Sequence, residues 1–294
     1  MNFQFLYPRT LGEALTLLAT SGPQTNIIAG GTDLLVKLKR KVLYANRVID
    51  ITGVDGLDYL GEQDGQMVIG AAVTHNAVIS YPLIAAKYTA LSDGSRQLGS
   101  LQVRNLATVV GNICNASPSA ETAPGLLVLG AKVEIASCQG IRQLELAEFL
   151  VGPGRTSLAS GEIVTRILIP QPQPSTGSAY IKLSPRRAMD TAVVGAAALV
   201  RIDPGSGQCL DCRIALGAVG PTPLQIHIGE TLLGSKLSSE AVAKAGDLAA
   251  KQARPISDLR ATAEYRREMV SVITRRALET AWRRAEGVPH ETGN

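Results

Sequence analysis

Residues 27–34 read Ile27-Ile28-Ala29-Gly30-Gly31-Thr32-Asp33-Leu34. An apolar run of strand character ends in two glycines and then offers a hydroxyl and a carboxylate. Glycine tolerates positive φ and lets backbone approach a ligand closely, and successive N–H groups in such a turn form a nest for an anion such as a pyrophosphate. The spacing is neither the G-x-G-x-x-G of a Rossmann turn nor the G-x-x-x-x-G-K-[ST] of a P-loop. A tight structural turn accounts for the same residues.

Upstream, Thr10 and Glu13 form a T-x-x-E capping box. Leu11, Ala14, Leu15 and Leu18 repeat at helical spacing behind Pro8, which predicts a helix over Thr10–Ala19. Downstream, Arg47–Ile51 has strand character, so the opening is βαβ-like. Gly65–Ala72 alternates as a strand and Asn76–Tyr88 reads as a short helix. Residues 100–135 run through polar loop chemistry into a Pro-started apolar helix and a strand. Pro170, Pro172 and Pro174 cannot continue a helix or a central strand and mark a linker. The predicted division is therefore near residue 175: residues 1–175, in subdomains of about 1–55 and 56–175, and residues 176–294. In the second part Ala179–Leu183, Ala192–Ile202 and Leu210–Val219 read as three antiparallel strands. Three helices are expected after them, two of which are Ser239–Ala253 and Leu259–Arg284. The latter carries Met269, Val270, Ile273, Ala277, Leu278 and Ala281 on one face.

Composition narrows the class. A chain of 294 residues with 45% hydrophobic and 18% charged residues is globular and long enough for two to three domains. A net charge of +4 does not announce a nucleic-acid binder. No apolar run is long enough to span a bilayer, and MNFQFLYPRT lacks the pattern of a signal peptide. Cys114, Cys138, Cys209 and Cys212 are irregularly spaced and do not suggest a disulfide framework, so a cytoplasmic protein is expected. Few aromatics beside 29 glycines suit a ligand held by backbone.

A second segment carries chemistry. Thr108-Val109-Val110-Gly111-Asn112 and then Ala116-Ser117-Pro118-Ser119-Ala120-Glu121-Thr122 crowd small residues, hydroxyls and a carboxylate before an apolar helix. They can line a groove for a nucleotide-like ligand, with Glu121 accepting from ribose or ribityl hydroxyls. A polar loop capping the next helix is the plainer account. Other features are set aside. The arginines of 260–284 alternate with Asp258, Glu264, Glu268 and Glu279, and like Lys37–Lys41 they read as solvated or subunit-facing. Gly152–Ser157 lacks the P-loop lysine, and Cys209 and Cys212 form a lone C-x-x-C. His75, His227 and His290 are scattered, so neither a metal site nor a catalytic residue is assigned.

The stretches IIAGGTDLL, ATVVGNICNASPSAETAPGLLVLGAKVEI and AYIKLSPRRAMDTAVVGAAA resemble, in order and spacing, the FAD-binding medium subunits of molybdenum hydroxylases of the xanthine dehydrogenase and carbon monoxide dehydrogenase type. The resemblance runs from Phe5, Tyr7 and Pro8 to the C-terminal helix. It implies an α+β protein: a two-part FAD-binding domain like that of vanillyl-alcohol oxidase, followed by a small domain of three antiparallel strands and helices. It also implies that Ala29, Gly30, Gly31, Thr32, Asp33 and Leu34 form a first FAD loop and Thr108, Val109, Val110, Gly111 and Asn112 a second. Ser117 and Glu121 match polar FAD contacts, Val164 an apolar position beside adenine, Lys182 a lysine close to the flavin ring, and Thr191 a position facing the isoalloxazine. Arg186 and Arg187 are candidate subunit contacts, with ordinary surface pairing equally open.

Three positions depart from the family pattern. Glu121 replaces the more usual Asp, Thr191 stands where relatives often carry a larger residue, and Val110 stands where T-x-G-G-N has glycine, although a β-branched residue resists positive φ. The resemblance further implies a small partner with two two-iron two-sulfur clusters and a large partner with the molybdenum cofactor. Electrons would pass through FAD to an acceptor that the sequence does not specify. A free-standing FAD-dependent oxidoreductase of the same fold, and a non-catalytic interaction protein, are the rival readings.

Overall fold

The computed structural model describes residues 3–22, 24–186, 188–227 and 231–288. Arg187 and His290 lie outside them. From the N-terminus run β1 (Gln4–Leu6), α1 (Leu11–Thr20), β2 (Thr25–Ile28), α2 (Leu34–Lys39) and β3 (Arg47–Asp50). The hairpin β4 (Leu60–Gln63) and β5 (Gln66–Gly70) precedes α3 (His75–Ser80), α4 (Pro82–Lys87), α5 (Thr89–Gln97), α6 (Leu101–Leu106), α7 (Val109–Cys114) and α8 (Thr122–Val128). Next come β6 (Lys132–Ser137), β7 (Gly140–Glu145), α9 (Leu146–Phe149), β8 (Leu150–Gly152), β9 (Arg155–Thr156) and β10 (Ile163–Pro170). The last part holds β11 (Thr176–Leu183), β12 (Val194–Ile202), β13 (Cys209–Gly217), β14 (Leu224–Ile226), α10 (Ser239–Gln252) and α11 (Ala263–Ala285).

These elements form two compact units that interleave in sequence. Residues 1–78, 100–116 and 131–170 make the first, and residues 79–99, 117–130 and 171–294 the second.

The first unit contains a parallel three-stranded sheet, β1-β3-β2, with Phe5 opposite Val48 and Ile27 opposite Ile49. Thr10 caps α1 as its sequence predicts, its hydroxyl accepting from the Glu13 N–H at 3.2 Å. The Glu13 carboxylate reaches back to the N–H of Arg9 at 2.8 Å, one residue before the cap. An antiparallel sheet of order β4-β5-β10-β6-β7 follows, with α7 packed on β5 and β10.

In the second unit the antiparallel order is β11-β12-β13-β14. Alternation decides the two faces. Val194, Ala196, Ala198 and Val200 pack with Val270, Ile273, Ala277 and Trp282 of α11 and Ala245 of α10. Ser178, Tyr180 and Lys182 point to the other side, where α5 packs on β11. The open edge of β11 is sealed by side chains. Asp93 accepts from the N–H of Tyr180 (3.1 Å), Gln97 donates to its carbonyl (3.3 Å), and Arg284 donates to the carbonyl of Ser178 (2.6 Å).

Four expectations change. The helix expected over Asn76–Tyr88 is two helices, because Pro82 has no N–H to give and its ring clashes with the preceding turn, so it starts α4. The polar stretch expected to open residues 100–135 contains α6 and α7. Two of its hydroxyls are N-caps: Ser100 accepts from Val103 N–H (3.3 Å) and Thr108 from Gly111 N–H (3.0 Å). The C-terminal sheet gains a fourth strand, β14, which pairs Leu224 with Leu216. After it the described residues form two long helices, and α11 starts behind its cap Thr262 rather than at Leu259.

Candidate functional site

The residues expected to bind FAD divide between the units. Ala29–Leu34, Thr108–Asn112 and Val164 belong to the first, and Ser117, Glu121, Lys182 and Thr191 to the second.

In the first unit, loops nearly eighty residues apart are pressed together. A Cβ on Gly30 would lie 1.9 Å from the carbonyl oxygen of Leu106 and 2.8 Å from the Cα of Ala107, so the turn after β2 seats its bare backbone on the end of α6. Gly31 adopts φ +70°, and the chain enters α2 with Leu35 N–H donating to Gly31 carbonyl at 3.0 Å. Lys37 of α2 joins the same arrangement by donating to Asn115, just past α7, at 2.6 Å. The sequence read Lys37 as solvated or subunit-facing and gave Asn115 no role; the signal that could have joined them is that each follows a glycine-bearing loop by one helical turn.

The second loop is the first turn of α7. Val109 and Val110 are buried in the core, so whatever they offer a ligand is backbone, while Gly111 is exposed. Val110 lies inside the helix and is not among the positive-φ residues, so valine in place of the family glycine is compatible with this backbone. A Cβ on Gly111 would approach the capping Thr108 hydroxyl to 2.8 Å. Val164 is buried on β10 at a bulge, opposite Ile135.

Beneath this turn sits His75, which the sequence left unassigned. Its backbone N–H donates to the Ala107 carbonyl at 3.0 Å, and Thr74 and Thr108 form a β-bridge. Burial above all lowers its pKa from 6.5 to about 4; the Arg104 charge adds to that and a hydrogen bond with the Thr108 backbone opposes it. The unfolded chain therefore takes up this proton first. Stability is whole above pH 6.5 and falls as the pH drops toward 4, by about 3 kcal/mol in all. Urea unfolding across that window should show the loss, and His75→Gln should flatten it; an unchanged slope in the variant would assign the loss to other groups.

In the second unit, Lys182 is the centre. Its side chain is 3% exposed, and its ammonium donates to Glu121 (3.0 Å) and to the carbonyls of Gln97 (3.1 Å) and Asp190 (2.7 Å). Those acceptors match the three N–H donors of an ammonium. The resemblance implies a lysine close to the flavin ring; in this structure Lys182 lies in a buried ion pair with Glu121. Lys182 points inward because it shares a face with Ser178 and Tyr180. Glu121 is fixed at its backbone too, since a Cβ on Gly94 would lie 2.6 Å from the Glu121 carbonyl oxygen. Burial first, and then the Glu121 charge, push the Tyr180 phenol well above its ordinary pKa.

Thr191 follows directly, its N–H donating to the Asp190 carboxylate at 3.0 Å. Asp190 also accepts from the N–H of Arg186 at 3.1 Å, which places Arg186 in local pairing. Ser117 makes a local turn, its hydroxyl 3.1 Å from that of Ser119. Cys209 and Cys212 are buried in the C-terminal core, and the described residues hold no His, Cys, Asp or Glu cluster of metal-binding form. No helix among them is long and apolar enough to cross a membrane.

Comparisons with known proteins agree with this architecture. Residues 1–172 match the model of the FAD binding domain in molybdopterin dehydrogenase, and residues 179–281 that of the CO dehydrogenase flavoprotein C-terminal domain. The chain is similar to the xanthine dehydrogenase FAD-binding subunit of Escherichia coli O157:H7, with 33% identity over 95% of each chain. It is also similar to the carbon monoxide dehydrogenase medium chain of Afipia carboxidovorans, 32% identical over 97% of this chain and 98% of that one. Among solved structures, carbon monoxide dehydrogenase from Hydrogenophaga pseudoflava superposes with a TM-score of 0.92 at 32% identity, covering 97% of this chain and 98% of that chain.

Proposed function

Since the chain belongs to the FAD-binding medium subunits of the molybdenum hydroxylase family, we propose that it is the electron-transfer subunit of a heterotrimeric, cytoplasmic enzyme. FAD is its cofactor. A small subunit with two two-iron two-sulfur clusters and a large subunit with the molybdenum cofactor are its partners. In this reading residues 1–175 are the FAD-binding part and 176–294 the C-terminal part. The observation that carries the reading is the seating of Gly30 on Leu106–Ala107, which joins two loops into one side-chain-poor surface where backbone can reach a pyrophosphate. The residues present fit the cofactor at that end.

Bound FAD would supply the redox chemistry. The chain's own residues hold and orient it. The backbone of Ala29–Leu34 and Thr108–Asn112 would hold the pyrophosphate, the Thr32 hydroxyl would be available to it as a donor, and Val164 would give an apolar wall for adenine. In the second unit Lys182 acts through what it holds: its bonds to Asp190 and Glu121 fix the residue before Thr191 and the turn containing Ser117. Thr191 and Ser117 remain to meet the cofactor. Because Glu121 neutralises Lys182 at 3.0 Å, the pair offers the flavin far less positive potential than a lone lysine would.

The chain expressed alone should carry flavin absorbance and turn over no organic substrate. A colourless folded chain would overturn the cofactor assignment at these loops, and turnover by the lone chain would overturn the relay role in favour of a free-standing flavoenzyme. Thr32→Ala should keep the unfolding midpoint and weaken FAD binding roughly tenfold, the worth of one hydrogen bond to a charged group. Equal FAD affinity by equilibrium dialysis would remove Thr32 from the site.

A further inference from the structure

We propose that residues 35–44, α2 and the turn beyond it, form the surface on which a companion subunit docks, presenting carboxylates together with apolar side chains. This rests on the reading of the chain as one subunit of a complex. Leu35, Val36, Val42 and Tyr44 are exposed, Val42 at 75% and Tyr44 at 67%. In sequence they flank Lys39, Arg40 and Lys41, all exposed, and among the described residues no carboxylate pairs with these three cations. Lys37, the remaining cation of the run, is tied to Asn115 beside the loops assigned to FAD. A surface that joins exposed apolar side chains to unanswered positive charge is complementary to a partner that offers carboxylates beside apolar side chains, whose approach it would steer and whose register it would set.

The turn itself is built at a cost to stability. Lys41 N–H donates to Leu38 carbonyl (3.1 Å) and Val42 N–H to Lys37 carbonyl (3.0 Å), the double bond pattern of a Schellman helix end. Glycine is the usual residue at the left-handed position of that motif, yet here Lys41 holds φ +57°. The next residue ordinarily packs its apolar side chain back on the helix, but Val42 faces solvent. A strained lysine followed by an exposed valine is unfavourable for the isolated chain and advantageous for a surface that is covered on assembly. α2 has six residues, too few for the long amphipathic face that lies on a lipid surface, so a protein is the favoured occupant.

The test is to express the tagged full-length chain in its native source and quantify the companion subunits of the enzyme, identified by mass, that co-purify at low and at high salt. Lys39→Glu with Arg40→Glu should reduce them roughly tenfold and abolish the salt dependence. Lys41→Gly should raise the thermal midpoint while lowering companion retention, a combination that misfolding does not produce. A photo-cross-linker in place of Tyr44 should join a companion peptide bearing carboxylates. Wild-type retention in the double charge reversal, cross-links only to a second copy of this chain, or binding to phosphatidylserine vesicles in place of companions would overturn the proposal. A wild-type chain that brings down no companion at all would instead overturn the assembly reading on which it stands.

Discussion

Gly30→Ala is expected to lower stability by about 3 kcal/mol and to abolish FAD retention. The added methyl would stand 1.9 Å from the Leu106 carbonyl oxygen, and its neighbours there are backbone, which cannot rotate away as a side chain can. The turn after β2 must then lift from the end of α6, and the two loops lose their common surface. Gly31→Ala makes the informative comparison. Its methyl would meet the Ile28 side chain at 2.9 Å, which can give way, so the main cost is the left-handed φ of +70°, about 1 kcal/mol. Urea midpoints and flavin-to-protein ratios of the two variants measure this ordering. Equal midpoints for Gly30→Ala and wild type would mean that the loops are not in contact.

Lys182→Met is the second large effect, at about 3–5 kcal/mol, because it leaves the Glu121 carboxylate and two backbone carbonyls buried without their cation. Adding Glu121→Gln to it should restore part of that loss, since the uncompensated charge disappears. The coupling between the two sites, read from a double-mutant cycle in urea, should be large and favourable. A cycle that closes to zero would show that Lys182 acts independently of Glu121, as a residue facing the cofactor would.

The opening helix, the strand before the double glycine, the C-terminal antiparallel strands and the long α11 were all legible, because periodicity and capping are local signals. Thr108 shows where local reading reaches its limit. A hydroxyl before a glycine and an asparagine suits a ligand loop and a helix cap equally, and only the 3.0 Å bond from Gly111 N–H shows that this hydroxyl caps α7, a role that leaves the backbone of the same turn open to a ligand. Lys182 shows the other limit. Its burial depends on which face of β11 meets α5, and α5 comes from a part of the chain more than eighty residues earlier. Arg266 is similar: it sits among arginines that pair at the surface, yet it is buried and donates to the carbonyls of Val193 and Ala218. Nothing in the helical spacing separates it from its exposed neighbour Arg267.

The interleaving of the two units bears on how the chain is made. During synthesis α5 and α8 leave the ribosome well before the strands they cover, and at about 5–20 residues per second that interval is roughly 3–20 seconds. Through it Ala90, Leu91, Leu126 and Leu127, fully or almost fully buried in the finished protein, have no sheet to bury them. The nascent chain therefore passes through a stage with sticky helices and no partner for them, in which a chaperone holding the early segments would raise the yield. The same geometry warns against cutting the gene at the proline linker: a fragment ending there would keep α5 and α8 but lose the sheet that shelters them.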